Sequence, residues 1–167
     1  MLDYNTFFPY AKPRKEQRRA IEFAIEAIEK SDKRFVIIEA GTGVGKSAIG
    51  LTLSRYLEQA VPNKEGFAQG GYFLTTQKIL QTQYENDFGR PRGDMKSVYS
   101  ASNYRCKFHK ANDCRTSQQM LRTADRKSAF FKACSGGCRY KMAKKNFLES
   151  PESVTNFPYF LTEATYS

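Results

Sequence analysis

Phe35-Val36-Ile37-Ile38-Glu39-Ala40-Gly41-Thr42-Gly43-Val44-Gly45-Lys46-Ser47 is the stretch on which the reading of this chain turns. Phe35 to Ile38 is a short apolar run of the kind that forms a buried strand. Gly41, Gly43 and Gly45 follow it, then a Lys-Ser pair. Glycine lets the backbone curl so that successive N–H groups converge, and a helix starting just behind the curl adds its unpaired first-turn amides. Such a loop cradles phosphates. Gly41, Thr42, Gly43, Val44 and Gly45 would supply the cradle. Lys46 would reach the β- and γ-phosphates of a nucleotide such as ATP, and Ser47 would offer its hydroxyl to Mg2+. The strict pattern has glycine where Ala40 stands, and the small alanine side chain still permits the turn.

On the N-terminal side, Pro13 stands where a first-turn proline would, and Ala20, Ile21, Ala24, Ile25 and Ile28 recur at three-to-four spacing. This predicts an amphipathic helix ending near Ser31-Asp32. After the loop, Ala48, Ile49, Leu51, Leu53, Tyr56 and Leu57 continue as a helix with little polar face. Val61 to Gly71 reads as a surface connection, Tyr72 to Thr75 as a second buried strand, and Lys78 to about Phe88 as a helix. Gly89 to Gly93 is a turn, and Ser97-Val98-Tyr99 a third strand. Ser153-Val154-Thr155 resumes the alternation, with a helical piece through Phe160 and Leu161. Strands alternating with helices in this way define a parallel α/β architecture with right-handed crossovers.

The 27 Lys and Arg against 17 Asp and Glu give a formal net charge of +10, which points to a polyanionic partner. Eleven of those basic residues and only two acidic ones, Asp113 and Asp125, lie between Cys106 and Lys145. The same segment holds all four cysteines, Cys106, Cys114, Cys134 and Cys138. No secretory leader opens the chain and no run approaches the length of a membrane span, so the expected location is cytoplasmic or another intracellular compartment. In a reducing compartment clustered cysteines serve as ligands more often than as disulfides.

Two cofactors fit the cysteines on spacing, with free buried thiols as the third reading. A 4Fe-4S cluster takes four thiolates. Zinc prefers close pairs, a test that only Cys134 and Cys138 meet, although Cys106, His109, Cys134 and Cys138 would make a three-cysteine, one-histidine site. His109 otherwise reads as a surface residue among basic neighbours. Tyr104, Phe108, Phe130, Phe131 and Tyr140 are interleaved with the charge and either stack on bases or form the small core of the segment.

Five features in order, spanning nearly the whole chain, resemble the front end of the iron-sulphur superfamily 2 DNA helicases of XPD/DinG type. They are Phe8-Pro9-Tyr10 with Arg14-Lys15-Glu16-Gln17; Glu39 to Ser47; Thr75, Gln77, Leu80 and Gln83; Asn103-Tyr104-Arg105-Cys106 through Cys138-Arg139-Tyr140; and Val154-Thr155-Asn156-Phe157. The resemblance implies a partial RecA-like parallel sheet, a P-loop NTPase fold, formed by 1–102 with 146–167. Residues 103–145 would be a small, mainly helical iron-sulphur insertion.

The same resemblance implies that Gln17 reads the adenine edge, with Arg14 or Tyr10 near the base. Thr75, Gln77 and Gln83 would contact the translocating strand. Cys106, Cys114, Cys134 and Cys138 would hold a 4Fe-4S cluster in a domain that splits duplex DNA, with zinc the alternative. Partners would be single-stranded DNA or a duplex junction, and no membrane. Gln77 stands where many relatives have threonine, and Phe157 replaces a tyrosine. No Asp-Glu-Ala-His motif or second motor domain follows, so Mg2+ would lack its second anchor and the attacking water its base. The function implied is an ATP-dependent 5′–3′ DNA helicase, of which this chain is an N-terminal portion with little ATPase of its own. The remaining portion would be a possible partner chain. Competing functions are a non-hydrolysing nucleic-acid-binding module with a structural metal site, and a P-loop kinase acting on a small substrate.

Overall fold

The structure, a computed structural model, describes residues 2–31, 33, 35–60, 70–89, 95–135 and 137–166, with side chains through 162. Most of the connection from Val61 to Gly71, and all of the turn from Gly89 to Gly93 except Gly89, lie outside these residues. The chain divides into two compact units, Met1–Gly71 and Tyr72–Ser167.

The first unit pairs two helices, α1 (Lys15–Lys30) and α2 (Lys46–Ala60), with a 3-10 turn at Tyr4–Phe7. On α1 the buried residues Gln17, Ile21, Ala24 and Ile25 fall at intervals of four, seven and eight from Gln17, one face of a helix. Of these, Ile21 and Ile25 meet Phe8 and the α2 residues Ala48, Ile49 and Tyr56. Tyr56 is fully buried and donates its hydroxyl to Glu29 of α1, joining the helices by a polar contact as well as an apolar one. Pro13 precedes the N-cap Arg14 and does not open the first turn. The start is set instead by Gln17, whose Oε1 accepts from the Arg14 N–H at 2.9 Å, as the fourth residue of a capping box does.

The strand expected at Phe35–Ile38 is not formed. Phe35 is 85% and Ile37 88% exposed. A strand exists only where a neighbour takes up its N–H and C=O groups, and among the described residues no strand pairs with this run. Apolar composition marks a wish for burial without naming the partner.

The second unit holds a three-stranded open sheet of β1 (Gly71–Thr75), β2 (Met95–Ser97) and β3 (Glu152–Asn156) in the order β1-β3-β2. The last strand in sequence therefore sits in the middle. β2 and β3 run parallel, with Met95 opposite Glu152 and Ser97 opposite Val154. β2 lies two residues earlier than the run Ser97 to Tyr99 suggests, yet Val98 is fully buried and donates its N–H to the Val154 carbonyl.

The central strand buries the hydroxyls of Ser153 and Thr155, and both donate to backbone carbonyls. Thr155 Oγ1 donates to the Val98 carbonyl at 2.7 Å, and Ser153 Oγ to the Phe147 carbonyl. Gln81, on α3 (Lys78–Tyr84), is fully buried and donates Nε2 to Ser97 Oγ and the Val98 carbonyl. A π-turn, Glu85–Gly89, extends α3 to the length the sequence predicts. Three further helices, α4 (Cys114–Leu121), α5 (Ala129–Ser135) and α6 (Arg139–Glu149), fill the cysteine segment, and α7 (Phe157–Tyr166) follows β3. The segment is not a free appendage. Cys114, Cys138 and Tyr140 share one apolar cluster with Val98 and Phe147. The architecture is mixed α/β.

Candidate functional site

The phosphate loop lies in the first unit. α2 starts at Lys46, directly behind Gly45, and the loop before it is exposed from Gly41 to Gly43. Gly43 and Gly45 have φ of +81° and +86°, the left-handed region that L side chains avoid. Gly45 is also required for space, since a Cβ there would fall 2.4 Å from Gln17 Nε2. Val44 packs against the helix-pair core and pins the loop's centre. Lys46 folds back over the loop, Nζ donating to the Ala40 and Gly41 carbonyls at 3.0 Å each. Ser47 is half-buried in the first turn.

Two residues of the α1 start close on this loop. The Arg14 guanidinium donates to the Gly43 carbonyl at 3.2 Å, and the buried Gln17 amide lies against Gly45. Arg14, Gln17 and the loop are thus brought together. The Gln17 amide, however, is spent on the chain itself through Arg14 N–H, and it would have to release that bond to pair with a base edge. Tyr10 is 59% exposed beside Phe8.

The cysteines meet in the second unit. Residues 104–114 fold back on themselves: Cys114 N–H donates to the Tyr104 carbonyl at 2.7 Å, Cys106 N–H to the Asn112 carbonyl at 2.9 Å, and Arg105 bridges Asp113. This brings Cys106 and Cys114 together across seven intervening residues. Asp113 caps α4 by accepting from Thr116 N–H at 2.7 Å, fixing Cys114 in the first turn. Cys134 lies near the end of α5 and Cys138 is the N-cap of α6. All four thiols are free and buried, and the Cys114 and Cys138 sulphurs touch at 4.0 Å.

Their electrostatics are unequal. Burial pushes the Cys114 thiol up to about 12, helped by Cys138, Cys134 and Cys106. Burial also raises Cys134, with Cys106 and Cys138 adding to it and Lys141 opposing. Cys106 is lowered: burial acts against ionisation, but the Ser117 hydroxyl and the N–H groups of His109 and Phe108 outweigh it. The four sulphurs therefore share one neighbourhood, although among the described residues no three Cys, His, Asp or Glu side chains stand close enough to hold a metal ion as they are. The His109 ring packs edge-on against Phe108 and Phe130 at 4.9 and 4.6 Å.

The expected nucleic-acid contacts are not equivalent. Thr75 is buried, its Oγ1 donating to the Gln77 carbonyl at 3.1 Å and lying 3.4 Å from the Thr155 carbonyl, so it joins β1 to β3. Gln77 and Gln83 are exposed. Beside Gln77 opens a groove of about 660 Å³ whose lining includes Lys78, Ser100, Arg115, Asn156 and Tyr159 and, among the described residues, no acidic side chain. Sequence reasoning did not single out Lys78, which follows Gln77 within its motif, counted Arg115 only as one of the basic residues between Cys106 and Lys145, and missed Ser117. Only the helical offset of three from Cys114 could have marked Ser117.

A glycine loop at a helix start, an open α/β sheet and a basic groove at its strand ends define a helicase-related α/β domain. The family model described as "Type III restriction enzyme, res subunit" matches residues 10–148. The chain belongs to that family, which is related to helicase motor domains in general. Searches among curated proteins and among solved structures found no match. Among the described residues no helix is long and apolar enough to cross a membrane.

Proposed function

We propose that this chain is the ATP- and DNA-binding N-terminal portion of an ATP-dependent 5′–3′ DNA helicase of the iron-sulphur XPD/DinG type, with 103–145 as its cluster-bearing insertion. The observation that carries this reading is the shared burial of Cys106, Cys114, Cys134 and Cys138 in the basic segment of a phosphate-loop protein. A cubane cluster places each cysteinate on a different iron, so its donors need a common neighbourhood and not a single point. What supports this reading is the chemistry of the donors: four sulphurs, two of them at helix N-termini and a third taking a backbone N–H donor. The zinc alternative needs the His109 ring, which is engaged by two phenylalanines.

Bound, the cluster would supply a structural pin for a segment too small to bury much apolar surface. The chain's own residues do the rest. Gly43 and Gly45 shape the cradle, and Lys46 exchanges the Ala40 and Gly41 carbonyls for phosphate oxygens. Ser47 faces Mg2+. Arg14 and Gln17 are placed to respond when the loop fills. Lys78 and Arg115 neutralise DNA phosphates, and Tyr159 offers a stacking face.

Iron and sulphide analysis of anaerobically purified chain, with Mössbauer spectra, is the test. About four of each per chain are expected, and one tightly held zinc without iron would overturn the cluster assignment. In parallel, Lys46→Ala should abolish most binding of a fluorescent ATP analogue. Equal binding by the mutant would remove Lys46 from the site.

A further inference from the structure

Lys78 is the first residue of α3, with Gln77 as its N-cap. A cation at that end opposes the helix dipole, so the helix gains nothing from its charge. The ammonium donates instead to Asn103 Oδ1 at 2.9 Å, and the contact is exposed. That acceptor is neutral. Lys78 therefore keeps its full charge at the wall of the groove, and among the described residues two of its three N–H donors remain to be offered.

Asn103 is itself held. Its Nδ2 donates to the Ser100 carbonyl at 3.0 Å and to Ser100 Oγ at 2.7 Å, and its backbone N–H donates to the same carbonyl at 2.9 Å. These bonds close the 3-10 turn Ala101–Asn103 onto its N-cap. With both amide hydrogens spent on Ser100, Oδ1 is the atom left to face Lys78. Exchanging the amide oxygen and nitrogen would set NH2 against ammonium and an oxygen against the Ser100 carbonyl, so the network fixes the orientation. A carboxylate at 103 would also hold the lysine, but it would cancel the charge. An amide orients a cation without neutralising it, which is what an anion-binding wall needs.

We propose that Asn103 is a positioning residue for nucleic acid, holding the Lys78 ammonium at the groove wall for a strand's phosphate while leaving its charge intact. This rests on the reading of the groove as a single-strand site and extends it to a residue outside the groove's lining. A lysine left loose would have to be ordered when the strand arrives, whereas one held in advance has already lost that freedom.

Anisotropy titrations of a labelled oligothymidylate with the full, anaerobically purified chain, repeated across salt concentrations, read affinity and salt slope together. Lys78→Ala should lower the logarithmic slope by about 0.7, the value of one phosphate contact on a single strand. Asn103→Ala should weaken binding about two- to tenfold, the cost of ordering one long side chain, with the slope unchanged because the charge remains. Asn103→Asp should lose about 0.7 of slope, as Lys78→Ala does. In the Lys78→Ala background, Asn103→Ala should cost nothing further. An equal loss in both backgrounds would mean that Asn103 only closes its turn, and would overturn the inference. Parent-like affinity in Asn103→Ala would overturn it too, as would a parent-like slope in Asn103→Asp, which is read independently should Asn103→Ala fold poorly by circular dichroism. Each of these results leaves the groove reading standing. Unchanged affinity and slope in Lys78→Ala would instead remove Lys78 from the groove, and this inference with it.

Discussion

Gly45→Ala is the substitution whose cost the structure specifies most fully. The new Cβ would fall 2.4 Å from Gln17 Nε2, and the backbone there has φ +86°. Holding alanine in that region costs about 1–2 kcal/mol. The Gln17 side chain must also withdraw, giving up its bond to Arg14 N–H, which adds about 0.5–1.5 kcal/mol. The total, roughly 1.5–3.5 kcal/mol, corresponds to about one to two and a half powers of ten in an equilibrium constant. A double-mutant cycle with Gln17→Ala separates the two parts. Truncating Gln17 removes the obstruction, so in that background Gly45→Ala should cost only the backbone part. The coupling should be about 0.5–1.5 kcal/mol. Urea unfolding by circular dichroism reads stability, and fluorescent nucleotide titration reads the loop. Additivity of the two substitutions within about 0.3–0.5 kcal/mol would refute the contact.

Two further outcomes are expected. The hydrogen bond to Glu29, with burial behind it, raises the Tyr56 hydroxyl from 10.0 to about 12, so the folded state holds this proton more tightly than the unfolded one. Its stabilisation is complete below pH 10.0 and is lost as pH climbs toward about 12, so urea midpoints should fall across that window and fall less in Tyr56→Phe. Tyr4 and Tyr104 are raised in the same direction, so the slope should shrink without vanishing. Thr75→Val should lower stability by about 0.5–1.5 kcal/mol and leave single-stranded DNA affinity unchanged, whereas Arg115→Ala should weaken that affinity and reduce its logarithmic salt slope by about 0.7. Salt-dependent anisotropy titrations distinguish these, and a Thr75→Val protein that is stable but fails to bind DNA would restore Thr75 as a contact.

What was legible in the sequence follows from how local each signal is. The phosphate loop, α1 and α2 are encoded by residues a few positions apart, and they appear where glycine chemistry and helical spacing put them. β1 and β3 were readable as short apolar or β-branched runs. Phe35–Ile38 was misread because a strand depends on a partner that no local pattern names. Gln81 was invisible for a related reason: it sits in the polar run Gln81-Thr82-Gln83, and only the placement of Ser97 and Val98 shows which of the three is buried. The cysteines were found by composition, but their unequal electrostatics come from backbone N–H groups and from Ser117, which carry no compositional mark. Thr75 and Gln77 are next-but-one neighbours in one motif, but Thr75 closes β1 and is buried, whereas Gln77 lies past the strand's end as the exposed N-cap of α3.

The exposed run at Phe35–Ile38 leads straight into Ala40, whose carbonyl holds the parked Lys46. Any chain segment that pairs with this run and thereby orders the loop behind it becomes thermodynamically linked to the nucleotide. The factor by which such a segment tightens nucleotide binding is the factor by which nucleotide tightens the segment. A segment pairing beside the two exposed side chains Phe35 and Ile37 would thus exchange β-pairing for nucleotide occupancy.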